Sequence, residues 1–156
     1  MSRRLIVTTK TPEETLAVGR LLARSLVGAS CVSLEGPLGA GKTVVAQGMC
    51  AELGVEGPVT SPTYTLQNEY EGSGGRLIIH VDAFRLGGPE EFDDLGVLDR
   101  METDTVLLVE WGDRIADALP GALRVEMTPE DGDVRRIAIH LPDGVELEIP
   151  AAPEGS

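Results

Sequence analysis

The sequence has few lysines, cysteines, histidines and aromatic residues, and it has no long apolar run. Of its 156 residues, 26 are Asp or Glu and 13 are Lys or Arg, so the formal net charge at pH 7 is −13. Such an acidic surface repels the phosphates of nucleic acids and anionic membranes over most of its area. We therefore expect no DNA partner, and the missing apolar run excludes a membrane-spanning helix, which needs about 20 apolar residues.

The shortage of cysteine and histidine excludes a further class of site. Cys31 and Cys50 stand in apolar surroundings, without the CxxC spacing of metal-binding or redox motifs. Two cysteines and two histidines do not suit a structural zinc site. The first ten residues hold only the short apolar run Leu-Ile-Val, which is too short for a signal peptide. Free thiols without a targeting segment predict a cytoplasmic protein.

Strands and helices alternate along the chain, which predicts an α/β fold. We expect strands at residues 5–8, 30–35, 63–70, 76–82, 105–111, 123–128 and 134–141. We expect helices from 12 to about 26, and at 42–53, 89–94, 97–101 and 113–119. Thr11 is the predicted N-cap of the first helix, followed by a capping Glu14. The third and fourth strands, and also the last two, are predicted to form antiparallel hairpins.

The most specific motif is Gly-Pro-Leu-Gly-Ala-Gly-Lys-Thr at residues 36–43. It matches the phosphate-loop pattern G-x-x-x-x-G-K-[ST], between a predicted strand and a predicted helix. Glycines let several backbone N–H groups turn toward one anion, Lys42 can reach the outer phosphates, and the Thr43 hydroxyl can bind Mg²⁺. The predicted nucleotide-binding residues of the loop are Gly36, Leu38, Gly39, Ala40, Gly41, Lys42 and Thr43.

The motif predicts a P-loop NTPase-like mixed sheet that is flanked by helices. We assign residues 1–149 to a single P-loop ATPase domain, because the length suits one domain, and residues 150–156 to a disordered tail. The positions of the two lysines also bear on which nucleotide base is bound. GTPases usually recognise guanine with an Asn-Lys-x-Asp motif, and neither Lys10 nor Lys42 lies in such a motif. We therefore expect ATP and Mg²⁺ as the cofactors.

Two acidic residues end apolar strands, Asp82 after Leu-Ile-Ile-His-Val and Glu110 after Val-Leu-Leu-Val. A phosphate loop needs such a carboxylate to hold Mg²⁺, and a second acid could orient or activate water. Each acid could instead cap a helix or stay solvated, and spacing alone does not assign their roles. With Lys42, they are the candidate catalytic residues.

Three further features have both a functional and a structural interpretation. The hydroxyl-rich segment at residues 61–65 could respond to the γ-phosphate, or it could be an ordinary turn. His80 could support the site from behind, or it could be an interior histidine. Trp111 could pack beside the nucleotide, or it could fill the edge of the core.

Four motifs together resemble those of the TsaE family. The family pattern is GxLGAGKT, then SPTYTL or SPTFTL, then HxDxYRL, and then a strand that ends in Glu-Trp. The corresponding segments here are residues 36–43, 61–66, 80–86 and 109–111. Phe84 stands where the family usually has Tyr, which removes a hydroxyl and keeps the aromatic ring.

The resemblance implies an ATPase that hydrolyses ATP slowly alone and acts with TsaB and TsaD. Those partners form N6-threonylcarbamoyladenosine in tRNAs that read ANN codons, so tRNA would be reached through the complex. The implied site residues are Thr43, Glu110 and Asp82 for magnesium, Lys42 for the phosphates, Thr65 for the γ-phosphate, and Thr11, Trp111 and Arg136 for the rest of the nucleotide.

Two other functions remain open at this point. Many small-molecule kinases are phosphate-loop proteins of this size, although they carry an Arg-bearing lid that this sequence does not suggest. A nucleotide-gated binding module that never hydrolyses ATP would use the same loop.

Overall fold

The computed structural model describes residues 3–26, 30–62, 66–145 and 147. Thr65, the predicted start of the third strand at 63–65, and the predicted tail at 150–156 lie outside the described residues. Among the helices that are described, none is long and apolar enough to cross a membrane.

The described residues form one mixed sheet, as predicted. Its strands are β1 (Arg3–Thr9), β2 (Ser30–Glu35), β3 (Gln67–Glu71), β4 (Leu77–Asp82), β5 (Val106–Glu110), β6 (Leu123–Pro129) and β7 (Arg135–Leu141). Their order in the sheet is β1-β7-β6-β2-β5-β4-β3. The four central strands, β6-β2-β5-β4, are parallel, and the pairs β1–β7, β6–β7 and β3–β4 are antiparallel. Both predicted hairpins are therefore confirmed.

In the described part of the chain, three α-helices flank the sheet: α1 (Pro12–Arg24), α2 (Lys42–Glu52) and α3 (Pro89–Asp94). Helix α1 begins where the sequence predicts, because the Thr11 side chain accepts a hydrogen bond from the Glu14 amide at 3.1 Å. The predicted helices at 97–101 and 113–119 are instead 3₁₀ segments, Leu98–Arg100 and Gly112–Ala118.

Helices α1 and α2 pack closely because glycine faces backbone at their crossing. A Cβ at Gly19 would lie 2.3 Å from the Val45 carbonyl oxygen, and a Cβ at Gly48 would lie 2.1 Å from that of Leu16. Either side chain would force the helices apart. The close approach fixes α2, and with it the loop that precedes α2.

Apolar side chains fill both sides of the sheet. On one side, Leu34, Val45 and Met49 belong to the core under α1 and α2. On the other side, Phe92 of α3 packs with residues of β4 and β5. Because β2, β5 and β4 are adjacent and parallel, their carboxyl ends meet at one edge of the sheet. That edge is where ligands bind in open α/β sheets.

Candidate nucleotide-binding site

A glycine-rich loop joins β2 to α2 at the carboxyl edge of the sheet. Gly36, Gly39 and Gly41 have φ of 142°, 81° and 103°, values that favour glycine. A Cβ at Gly36 would also lie 2.4 Å from the Met127 carbonyl oxygen. No side chain caps the start of α2, so its first backbone N–H groups and the helix dipole can meet an anion.

Lys42, the first residue of α2, lies across this loop with 5% of its surface exposed. Its Nζ donates hydrogen bonds to the carbonyl oxygens of Gly36 at 2.7 Å and Pro37 at 2.8 Å. The ammonium also lies 4.0 Å from the centroid of the Trp111 ring. Burial lowers the pKa of Lys42, and the nearby carboxylates of Glu110, Asp113 and Asp82 oppose that shift.

Thr43 and Glu110 place a hydroxyl and a carboxylate side by side at the site. The Thr43 hydroxyl lies 3.1 Å from Oε1 and 3.3 Å from Oε2 of Glu110. Glu110 is 3% exposed, and this burial acts to raise its pKa. Hydrogen bonds from His80, Thr43 and Ser61 outweigh the burial and hold the pKa of Glu110 below its ordinary value. The carboxylate is therefore ionised at neutral pH.

His80 is fully buried and lies behind Glu110. Its Nε2 is 2.6 Å from Oε2 of Glu110. The other ring nitrogen, Nδ1, is buried and has no hydrogen-bond partner within the described parts of the chain. His80 is thus an interior histidine that also contacts Glu110, a residue of the cleft.

Asp82 stands beside Glu110, since the two residues are register partners on β4 and β5. Its Oδ1 accepts a hydrogen bond from the Phe84 amide at 2.9 Å and so caps the 3₁₀ turn Ala83–Arg85. The carboxylate also lines the cleft beside the loop. The capping role, one of the alternatives that the sequence left for Asp82, is therefore present, and the same residue lies at the cleft.

Trp111 follows Glu110 in an unusual backbone conformation. Its φ of 62° is the one positive φ among the described non-glycine residues. Such a conformation costs free energy in a bulky residue and is often found at functional sites. The turn is held by a hydrogen bond from the Trp111 amide to the Leu34 carbonyl at 2.8 Å, and the ring packs on Phe84 with centroids 4.9 Å apart.

Arg135, rather than Arg136, reaches the loop. The Arg135 guanidinium donates to the carbonyl oxygens of Gly39 at 3.0 Å and Ala40 at 3.1 Å. Successive side chains of a strand point to opposite faces, so Arg136 on β7 is turned away from the loop. The sequence motifs do not include Arg135, because none of them covers this hairpin. The signal that could have indicated Arg135 is strand alternation, because Arg135 lies on the same face of β7 as Ile137, a core residue.

Most of the predicted site residues line one cleft, and the others lie around it or outside the described residues. The cleft has a volume of about 570 Å³. Its lining includes these predicted residues: Leu38, Gly39, Gly41, Lys42, Thr43, Asp82, Glu110 and Trp111. Gly36 and Ala40 belong to the loop backbone, Thr11 caps α1, and Thr65 is outside the described residues.

The donor set at the cleft fits a magnesium nucleotide. A hydroxyl and a carboxylate are oxygen ligands of the kind that Mg²⁺ prefers, and Mg²⁺ takes its other ligands from phosphates and water. In the described ranges no three His, Cys, Asp or Glu side chains form a metal-binding group.

Comparison with known proteins gives concordant matches. The family described as threonylcarbamoyl adenosine biosynthesis protein TsaE matches residues 9–137. The tRNA threonylcarbamoyladenosine biosynthesis protein TsaE of Mycobacterium tuberculosis is 41% identical over 114 residues, which cover 69% of this chain and 68% of that protein. The protein of the same name from Streptomyces coelicolor is 41% identical over 127 residues, covering 80% and 85%.

A solved structure has a similar fold. The crystal structure of YdiB from Bacillus subtilis has a TM-score of 0.71 and 31% sequence identity to this chain, and the match covers 91% of this chain and 88% of that one. The predicted P-loop NTPase-like mixed sheet is confirmed. This protein belongs to the TsaE family of threonylcarbamoyl adenosine biosynthesis proteins.

Proposed function

We propose that this protein is a Mg²⁺-dependent ATPase that acts with TsaB and TsaD to form N6-threonylcarbamoyladenosine in tRNAs that read ANN codons. The main support is that Lys42, Thr43 and Glu110 meet in one cleft behind a phosphate loop, in a chain of the TsaE family. ATP hydrolysis would support repeated turnover of the complex.

The phosphate loop and three residues of the cleft have a proposed part in binding. The loop amides and Lys42 would hold the phosphates, and Lys42 would exchange its carbonyl contacts on the loop for phosphate oxygens. Thr43 and Glu110 would hold Mg²⁺. Bound magnesium would neutralise charge on the phosphate oxygens.

The carboxylates of Glu110 and Asp82 differ in how many hydrogen bonds they already accept from the protein. Glu110 already accepts hydrogen bonds from Thr43, His80 and Ser61. Asp82 uses Oδ1 for the Phe84 amide and otherwise faces the cleft. We assign Glu110 to the metal and Asp82 to the attacking water, which Asp82 would orient and whose proton it would accept.

The charge of the chain supports an indirect link to tRNA. A net charge of −13 opposes a broad grip on a nucleic acid. We therefore propose that TsaB and TsaD contact the tRNA, and that this protein binds those partners in the cytoplasm.

The test is a reconstituted reaction that contains TsaB, TsaD, tRNA and the threonylcarbamoyl donor. We expect ATP to allow many modified tRNAs per complex, and a non-hydrolysable analogue to allow few. Asp82→Asn should keep Mg²⁺–ATP binding and lose phosphate release. If both Asp82→Asn and Glu110→Ala supported full turnover, the protein would be a nucleotide-gated binding module. If phosphate passed to a metabolite with little released free, it would be a kinase.

A further inference from the structure

We infer that His80 is a positioning residue that commits one carboxylate oxygen of Glu110 to the protein and leaves the other for the metal. The inference rests on the proposed function, because it concerns how the cleft holds Mg²⁺. His80 does not line the cleft and would touch neither nucleotide nor metal. It would act through Glu110.

The contacts of Glu110 are unequal at its two oxygens. His80 Nε2 lies 2.6 Å from Oε2. The Thr43 hydroxyl lies between the two oxygens, at 3.1 Å from Oε1 and 3.3 Å from Oε2. The histidine therefore distinguishes between the oxygens, and Thr43 does not. Ser61, which lines the cleft, also donates to this carboxylate. Because the buried His80 holds Oε2 by a short bond from behind, we assign Oε1 to the metal.

The other ring nitrogen of His80 indicates which atom donates in the bond between His80 and Glu110. Its Nδ1 is buried and has no partner among the residues that the structure describes, so a proton there would have no acceptor. The ring proton belongs on Nε2, where the ionised Glu110 accepts it. A buried polar group without a partner is destabilising. This histidine is therefore poorly explained as a residue that serves packing alone.

The fold holds the ring firmly in this orientation. His80 is fully buried on β4, with Leu108 of β5 and Asn68 of β3 as its register partners. The Tyr70 ring lies 6.2 Å from the His80 ring, centroid to centroid. The backbone of His80 is therefore paired on both sides, to β3 and to β5. Partners of this kind orient the carboxylate and imidazole ligands of metals, and their loss typically weakens metal affinity 10- to 100-fold.

The experiment compares His80→Gln with His80→Asn in the full-length protein. The Gln amide can reach the position of Nε2, whereas the shorter Asn amide cannot. Trp111 is the only tryptophan and lies against Lys42, so its fluorescence can report nucleotide binding. Two quantities are measured: the ATP affinity in EDTA, and the Mg²⁺ concentration that gives half of the metal-dependent fluorescence change at saturating ATP.

We expect His80→Asn to raise the required Mg²⁺ concentration about 10-fold or more, to leave the ATP affinity in EDTA unchanged, and to be rescued by His80→Gln. His80→Phe fills the ring volume without a buried amide, and it gives the same test if His80→Asn does not fold. The matched control is His140→Asn, since His140 pairs with Glu126 at 3.2 Å outside the cleft. His140→Asn should leave both quantities unchanged.

Several outcomes would overturn the inference. His80 would be structural if His80→Asn and His80→Gln changed the Mg²⁺ requirement equally, or if ATP affinity in EDTA fell as much as the metal response. An unchanged Mg²⁺ requirement in His80→Phe would also exclude the positioning role. If the unmodified protein bound ATP without any response to Mg²⁺, the proposed function itself would fail, which is a distinct result.

Discussion

The ammonium of Lys42 lies 4.0 Å from the centroid of the Trp111 ring, although the two residues are far apart in sequence. The contact joins the start of α2 to the end of β5. It depends on the positive φ of Trp111, which turns the chain just after Glu110. A buried cation is thus held by an aromatic face and two carbonyl oxygens, each of which a phosphate can replace.

Lys42→Ala should lose most of the ATP affinity. Hydrogen bonds to charged groups contribute about 1.5–3 kcal/mol, which corresponds to roughly 10- to 100-fold in Kd. Isothermal titration calorimetry measures the change. Lys10→Ala is the matched control, because Lys10 is the only other lysine and does not line the cleft. Equal losses in the two variants would contradict the assignment of Lys42 to the phosphates.

Arg135→Ala should weaken ATP binding, and Arg136→Ala should not. Arg135 is bonded to the carbonyl oxygens of Gly39 and Ala40, so its removal frees the phosphate loop from β7. The same calorimetric titration compares the two neighbours, each with one guanidinium removed. We expect an increase in Kd of about tenfold for Arg135→Ala, near 1.4 kcal/mol. A loss confined to Arg136→Ala would restore the expectation drawn from the family resemblance.

The loop and the strand-end acids could be predicted because their signals are local. Glycine spacing predicts the loop between residues 36 and 41, and an apolar strand that ends in an acid predicts the positions of Asp82 and Glu110. The mutual positions of these parts depend on the strand order β2-β5-β4, which the chain order does not give. The bond between His80 and Glu110 follows from that order, so from sequence alone His80 could be either a residue that supports the site or an interior histidine.

The backbone at Trp111 could not be predicted for a different reason. A positive φ in tryptophan runs against its intrinsic preference, and it persists only where the surrounding structure imposes it. Arg135 was missed because strand alternation needs a reference residue of known burial, which Ile137 provides only once the core is known. Both features depend on tertiary structure rather than on a local motif.

Thr43→Ala should show its defect only in the presence of magnesium. The hydroxyl lies 3.1 Å from Oε1 of Glu110 and is placed to share a metal with it. We expect the Mg²⁺ requirement for ATP binding to rise by roughly tenfold, and Thr43→Ser to restore it. Trp111 fluorescence during a Mg²⁺ titration measures the effect, with EDTA as the metal-free reference. Equal defects with and without Mg²⁺ would argue against a metal ligand.

The two cysteines should be unreactive in the folded protein. Both are free, as predicted, and burial raises the pKa of Cys31 and of Cys50 well above the usual thiol range, to about 12. The thiolate is the reactive form, so alkylation at pH 8 should be slow until the chain unfolds. Because the folded pKa is the higher one, stability from these groups is constant below pH 9 and falls as pH rises toward 12. Mass spectrometry after iodoacetamide treatment tests this, and rapid native labelling would contradict it.

Gly112→Ala should destabilise the fold through Ser33. A Cβ at Gly112 would lie 1.9 Å from the Ser33 hydroxyl and 2.8 Å from the Ser33 Cβ. Overpacking of this kind costs about 1–3 kcal/mol, a fall in Tm of roughly 2–12 °C for a domain of this size. Thermal unfolding followed by circular dichroism measures the change.

Two comparisons show whether the clash with Ser33 is the cause. In a Ser33→Gly background the substitution at Gly112 should cost at least about 0.5 kcal/mol less, because the two sites are in contact. Gly87→Ala is the matched control, since its Cβ would meet the flexible Glu91 carboxylate, which can move away. Additive costs at Gly112 and Ser33, or an equal loss at Gly87, would show that the clash with Ser33 is not the cause of the destabilisation. The close approach of Gly112 to Ser33 on β2 would then not be the reason that the turn after Glu110 has glycine at position 112.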